Sequence, residues 1–222
     1  MRYKLLIFDW DGTLMDSGER ITNCFCATAK DLGLPLPDRD QVRSYIGISL
    51  PEAWQLLYPY LDSVRIANLI VQYRVHWIYL DDTPMPLFDG VKQGLTELVA
   101  QGYWLSVATG KSRAGLDRAM AEIRLFDHFV YTRCADESRS KPHPQMVLDI
   151  LDFTGLDVSQ AVMIGDTTFD LEMAKNAGID RFAVGYGYHH RSNLLPLVSD
   201  SVCHAEFDGI ARDFDEVRGF FA

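Results

Sequence analysis

Residues 4–16 read KLLIFDWDGTLMD, and the fold turns on how this stretch is taken. Leu5, Leu6, Ile7 and Phe8 form an unbroken apolar run closed by a turn signal, the pattern of a strand buried on both faces. It ends at Asp9-Trp10-Asp11-Gly12-Thr13. Side chains alternate along a strand, so Asp9 and Asp11 leave it on the same side. Unit charges about 4 Å apart repel by roughly 4 kcal/mol at an effective dielectric of about 20. Such a pair calls for a cation, a shared proton or exposure to water. Exposure is the plainer reading, because Asp-Gly is an ordinary turn and an Asp after a strand often caps the next helix.

The rest of the chain bears on that choice. Its 222 residues are 48% hydrophobic and 23% charged, enough to bury a core and too apolar for a disordered chain. Lys and Arg number 21 against 31 Asp and Glu, a formal charge of −10. Nucleic acid and anionic membrane need a basic footprint, so neither is an expected partner. A small phosphorylated substrate held at one locally positive point remains compatible. Cys24, Cys26, Cys134 and Cys203 show no metal-ligand or CxxC spacing and read as reduced structural thiols. Asp9 cuts the first apolar run short of the roughly 7–15 residues of a signal-peptide core. No stretch approaches the roughly 20 apolar residues of a membrane span. A soluble, cytoplasmic protein is expected.

From Ser17, a plausible N-cap, Ile21, Phe25, Ala29 and Leu32 recur at helical spacing until Gly33 and Pro35. Asp38 with Gln41 and Ser49 with Glu52 look like capping boxes on either side of Gly47. A longer helical pattern covers residues 62–80, and residues 81–86 (DDTPMP) are a linker by composition. Nothing in this block reads as a strand.

Beyond Phe88 helices and apolar strands alternate. Strands are expected at 103–108, 129–132, 161–164 and 181–184, with helices at 89–100, 112–123, 144–153 and 169–177. The tail carries a weak signal at Val202-Cys203 and a helix around 207–217. The pattern predicts an α/β, doubly wound parallel sheet with a small all-helical domain inserted after the first strand. The expected division is residues 1–16 and 84–222 for the α/β core and 17–83 for the helical insert.

Ligands of such sheets sit beyond the carboxyl ends of the strands. The residues found there are Asp9 and Asp11, then Thr109-Gly110-Lys111, then Gly165-Asp166, with Asp170 one helical turn further on. Lys141 lies in the loop before the next helix. Each of these has a bland reading alone, as a cap, a turn or a solvated surface charge. Their meeting at one face of one sheet is harder to dismiss.

DWDGT, the Thr of VATG, the Lys of SKPHP and the acids of GDTTFD resemble, in order, the four motifs of the haloacid dehalogenase-like hydrolase superfamily. The insert resembles that superfamily's cap, and the chain is most similar to its phosphoglycolate phosphatase branch. The resemblance implies a phosphomonoester hydrolase working through an aspartyl phosphate on a small phosphorylated metabolite, with phosphoglycolate the branch's suggestion and sugar phosphates, nucleotides and pyrophosphate left open. It makes Asp9 the nucleophile and Asp11 the acid and base. Thr109, Gly110 and Lys141 become the phosphate-binding groups, with Thr109 and Lys141 also catalytic. Magnesium is then held by the Asp9 side chain, the Asp11 backbone carbonyl and Asp166, with Asp170 a ligand or an orienter of its waters. Asp11 speaks against dehalogenase and phosphonate chemistry, which lack a second acid. Ile21 stands where the β-phosphoglucomutase group usually has His, which speaks against a mutase. A phosphate-accepting regulatory switch remains an alternative. The turn at residues 46–49, with Arg20 and Arg43, is the expected contact for the substrate's non-phosphate end, and His189-His190 reads as a solvated loop.

Overall fold

The computed structural model describes residues 2–203 and 210–222. Strands β1 (Leu5–Phe8), β2 (Trp104–Thr109), β3 (Phe129–Cys134), β4 (Ala161–Gly165) and β5 (Asp180–Ala183) form one parallel sheet in the order β3-β2-β1-β4-β5. The apolar run opening the chain is the central strand because both of its faces are covered. Leu6 and Phe8 pack with helices α5 (Val91–Ala100), α6 (Arg113–Ile123) and α10 (Phe214–Phe221). Leu5 and Ile7 point the other way, into α7 (Gln145–Thr154) and α8 (Thr168–Ala177). The chain fills one side of β1 with β2 and β3 and then crosses to β4, so the strand order reverses at β1/β4. That is where open α/β sheets bind ligands.

Between β1 and α5 lie α1 (Gly18–Asp31), α2 (Arg39–Ser44), α3 (Leu50–Leu57) and α4 (Ser63–Val75), with α4 running into a π-helical turn at His76–Leu80. The helical pattern at 62–80 thus holds, but its last turn is widened. These helices have a core of their own around Phe25, Trp54 and Tyr73, with ring centroids 4.2 Å (Phe25–Trp54) and 5.1 Å (Phe25–Tyr73) apart. Two strands of chain connect them to the sheet side by side. The Asp16 N–H donates to the Pro86 carbonyl at 2.8 Å, and Phe88 N–H to Leu14 at 3.1 Å.

Several expectations are corrected. Ser17 occupies the N-cap position of α1, but its side chain makes no cap bond and turns to Asp11 instead. Helix α9 (Arg191–Val198) escaped the sequence reading because Pro196 breaks its pattern. Val202 and Cys203 are helical, and the last helix begins at Phe214, seven residues after its expected start. Residues 207–209 of that expected helix lie outside the described residues. Cys24, Cys26 and Cys134 are free thiols, and Cys203 Sγ donates to the Tyr3 hydroxyl at 3.2 Å. Among the described residues no helix is long and apolar enough to cross a membrane.

Trp54 is fully buried among the aromatic rings of the helical unit and contributes nothing to the sheet. Trp54→Ala is expected to cost about 3–5 kcal/mol, the usual range for emptying a large aromatic site. Urea unfolding followed by circular dichroism checks this, and a loss below about 1 kcal/mol would show that this core is not built around Trp54.

Candidate active site

Register alone assembles the centre of the site. Phe8 pairs with Val107 on one side and Ile164 on the other, so Asp9, Thr109 and Asp166 all emerge at the same edge of neighbouring strands. The Asp9 N–H, bonded to the Ile164 carbonyl at 3.0 Å, continues the ladder one step past the strand. Lys141 arrives from the loop before α7, and Asp170 from the first turn of α8.

Asp9, Thr109, Lys141, Asp166 and Asp170 are all essentially without solvent exposure. The Lys141 ammonium lies 2.7 Å from Asp9 Oδ1 and 2.6 Å from Asp170 Oδ1. Its approach to Asp9 is an ion-pair contact outside hydrogen-bond angles, and neither Asp9 oxygen accepts a hydrogen bond. Asp166 is better served: Thr13 Oγ1 donates to Oδ1 at 2.9 Å and the Tyr188 N–H to Oδ2 at 2.8 Å. Asp170 Oδ2 accepts from the Thr167 hydroxyl at 2.6 Å and the Thr167 N–H at 3.1 Å, a capping box that fixes the carboxylate at the start of α8.

The electrostatics follow from three carboxylates facing one ammonium. Burial pushes the Asp9 carboxyl well above the usual carboxylate range; Lys141 pulls it down, and Asp170 and Asp166 push it up. Asp166 is pushed up to about 7, first by burial and then by the charge of Asp170. Burial works to lower the pKa of Lys141, yet Asp170 and Asp9 outweigh it and raise it overall. Oxygens of Asp9, Asp166 and Asp170 lie within 4.8 Å of one another, the spacing of a metal site.

Asp11 is held apart from this cluster. Its Oδ1 faces the Lys111 ammonium at 2.9 Å and accepts a hydrogen bond from the Ser17 hydroxyl. Lys111 in turn lies 4.7 Å from the centre of the Trp77 ring, which also carries Arg20 at 5.1 Å. The two carboxylates of the DWD stretch therefore do not share one cation; each has its own lysine. Trp10 between them points to the opposite side and is fully buried in the sheet's core.

The helical unit closes down on these groups. A Cβ at Gly110 would stand 2.6 Å from the Gly47 carbonyl oxygen, so only glycine lets this turn of the insert settle on the sheet. A Cβ at Gly12, where φ is +89°, would collide with the Asp166 carboxylate. The Ser49 N–H donates to Ser140 Oγ at 3.0 Å. Between insert and sheet lies a cavity of about 100 Å³ whose walls include Asp11, Lys111, Ile46, Gly47 and Ile48.

Three expectations change here. Arg20 serves the connection to the insert, donating to the Trp77 carbonyl at 2.7 Å and lying 3.8 Å from Asp81. Arg43 pairs with Glu19 at 2.7 Å on the surface, and neither arginine lines the cavity. His189 is not simply a solvated loop residue. Its Nδ1 accepts from the Thr168 N–H at 3.1 Å, which leaves Nε2 to donate to the Ser44 carbonyl at 3.0 Å, joining α8 to α2. Sequence reasoning gave no site role to Thr13, Lys111, Thr167 or Tyr188 and took Ser17 only as an N-cap. Thr13 lies within DWDGT, Lys111 adjoins VATG, and Thr167 with Asp170 forms a readable capping box. Nothing local marks Tyr188.

Comparison with known proteins agrees with this architecture. The family model for haloacid dehalogenase-like hydrolases matches residues 6–184. A probable phosphatase, IndB, of Dickeya dadantii (strain 3937) is 36% identical over 97% of this chain and 92% of its own. A phosphoglycolate phosphatase of Nitrosococcus oceani is 28% identical over 90% of this chain and 91% of its own. The crystal structure of a predicted phosphoglycolate phosphatase from Haemophilus somnus 129PT superposes with a TM-score of 0.87, at 23% identity, over 100% of this chain and 99% of that one, a likeness of fold. With the family model spanning most of its length, the chain belongs to the haloacid dehalogenase-like hydrolases.

Proposed function

We propose that this protein is a magnesium-dependent phosphomonoester hydrolase that acts on a small phosphorylated metabolite through a phosphorylated Asp9. The observation that carries the reading is the separation of Asp9 and Asp11 into two environments, one inside the acid cluster with Lys141 and one beside the cavity with Lys111. The relatives named as phosphatases support the reaction class.

In this reading Asp9 attacks phosphorus and the bond to the leaving oxygen breaks, while Asp11 gives that oxygen its proton. Asp11, now a carboxylate, takes a proton from the water that attacks the aspartyl phosphate. The bond to Asp9 then breaks, and inorganic phosphate leaves. The Thr109 hydroxyl and the Gly110 N–H hold phosphoryl oxygens, and Lys141 offsets the charge of the phosphoryl group and of Asp9. Because phosphoryl transfer is mostly positioning and charge stabilisation, these groups matter as much as the nucleophile.

The acid cluster fits magnesium. Both oxygens of Asp9 are buried without a donor, three carboxylates outnumber one ammonium, and all the donors are hard oxygens. Asp9, Asp166 and the Asp11 backbone carbonyl would hold the ion. Asp170, whose oxygens are engaged by Lys141 and Thr167, would orient its waters. Bound there, magnesium supplies positive charge to the phosphoryl oxygens. Residues 17–83 act as the cap. Asp9 has no solvent exposure with the Gly47 turn in place, so substrate enters when this unit lifts.

Three outcomes are expected. Asp9→Asn abolishes phosphate release without lowering the melting temperature, because it removes an excess buried negative charge whose oxygens accept no hydrogen bond. Turnover within a few-fold of the parent would sink the assignment. Chelation removes activity and magnesium restores it; it also raises the melting temperature of the parent by binding the folded state. Full activity after exhaustive metal removal would contradict the cofactor. Asp11→Asn slows phosphorylation of Asp9 by about 10²–10⁴-fold with an alkyl phosphate, the usual worth of a general acid. With p-nitrophenyl phosphate, whose leaving group departs unassisted, it slows that step far less. Rapid-quench measurement decides it, and equal slowing with both esters would mean that Asp11 is not the acid.

A further inference from the structure

The cavity between insert and sheet begins at the leaving-group side of the site. Its lining includes Asp11 but not Asp9, Asp166 or Asp170. Whatever departs with the proton of Asp11 therefore occupies this chamber. Its walls are chiefly apolar, among them Ile21, Phe25, Val42, Ile46, Leu50 and Trp77. The polar groups at its inner end satisfy each other: Lys111 is paired with Asp11 and covered by the face of Trp77. The arginines that could have met an anion from the insert are engaged elsewhere, Arg20 at the connection and Arg43 with Glu19. Arg74, an exposed residue, is a second cation in the lining.

Resting on the phosphatase reading of this same site, we infer that the substrate is the phosphomonoester of a small, uncharged apolar alcohol rather than a phosphorylated acid, pyrophosphate or a nucleotide. An anionic leaving group would lose its water among these apolar side chains and would have to compete with Asp11 for Lys111, which is unfavourable. An apolar one gains with every methylene buried. The cavity is partly open, and its volume of about 100 Å³ is a little below that of the ~150 Å³ apolar cavity that takes benzene. It suits a branched or straight chain of about five carbons, and a nucleoside would protrude from it.

The test is kcat/KM for n-alkyl phosphates from ethyl to octyl, beside phosphoglycolate and pyrophosphate, with magnesium and with Asp9→Asn as control. Leaving-group basicity is nearly constant along the alkyl series, so burial is what varies. The expected result is a rise of roughly fourfold per methylene, a maximum near pentyl, and at least about tenfold preference for pentyl phosphate over phosphoglycolate. Ala53→Leu, which places extra carbon in the chamber wall, should move the maximum to a shorter chain. A flat alkyl series, or a preference for phosphoglycolate or pyrophosphate, in a protein whose activity still depends on Asp9 would overturn this inference and leave the phosphatase reading standing. Phosphate release that survives Asp9→Asn, or none from any ester, would overturn both.

Discussion

The Lys141 ammonium, buried between Asp9 and Asp170, is the contact on which the rest of the site depends. Taking a charge out of water costs several kcal/mol even after relaxation, so such a cluster persists only where the surrounding structure leaves it no alternative. Here the constraint comes from four directions. β1 delivers Asp9, β4 and the start of α8 deliver Asp166 and Asp170, and the loop before α7 delivers Lys141. The hydroxyls of Thr13 and Thr167 and the Tyr188 N–H take up the remaining carboxylate oxygens, except those of Asp9. In the proposed reading this suits a nucleophile: Oδ1 faces the Lys141 ammonium at 2.7 Å, and Oδ2 accepts no hydrogen bond.

The same logic separates two residues of identical chemistry. Asp9 and Asp11 stand two apart, but the ladder ends at Asp9 and the second carboxylate swings toward Lys111 and Ser17. One acid is surrounded by other acids and burial raises its pKa; the other has a lysine to itself at the wall of a cavity. Only Asp11 lines the cavity, so in the proposed reading it is the carboxyl within reach of a leaving group, while Asp9 stays among the acids of the metal-site cluster.

Much of this was legible in the sequence, and the reasons are physical. The order and direction of strands follow from apolar runs that only a sheet covered on both faces can bury, as Leu5 to Phe8 show. Asp9, Thr109 and Asp166 could be gathered because parallel strands end at a common edge, so one residue after each strand is a spatial statement. What could not be read depends on distant segments meeting. Tyr188 reaches Asp166 from the chain after β5, and His189 spans α8 and α2; neither has a neighbour in sequence that signals it. Arg20 and Arg43 were plausible ligand contacts until the fold supplied Asp81 and Glu19 as nearer partners. Sequence reasoning also treated the two DWD carboxylates as one crowded pair, because it could not see that Lys111 would take one of them.

The insert's own irregularity completes the picture. α4 passes into a π-helical turn at His76–Leu80, and such turns recur where a side chain must be placed off the regular helical stripe. Trp77 lies in that turn. Its ring centre is 4.7 Å from the Lys111 ammonium and 5.1 Å from the Arg20 guanidinium, and its carbonyl accepts from Arg20 at 2.7 Å. The indole thus lines the chamber, covers the lysine that holds Asp11, and is anchored at the joint between insert and sheet. In the proposed reading, where residues 17–83 are a cap, a movement about that joint would shift Trp77 and uncover Lys111. On that reading Asp11 would be shielded from water only with the cap shut, by a ring that also lines the cavity proposed for the leaving group.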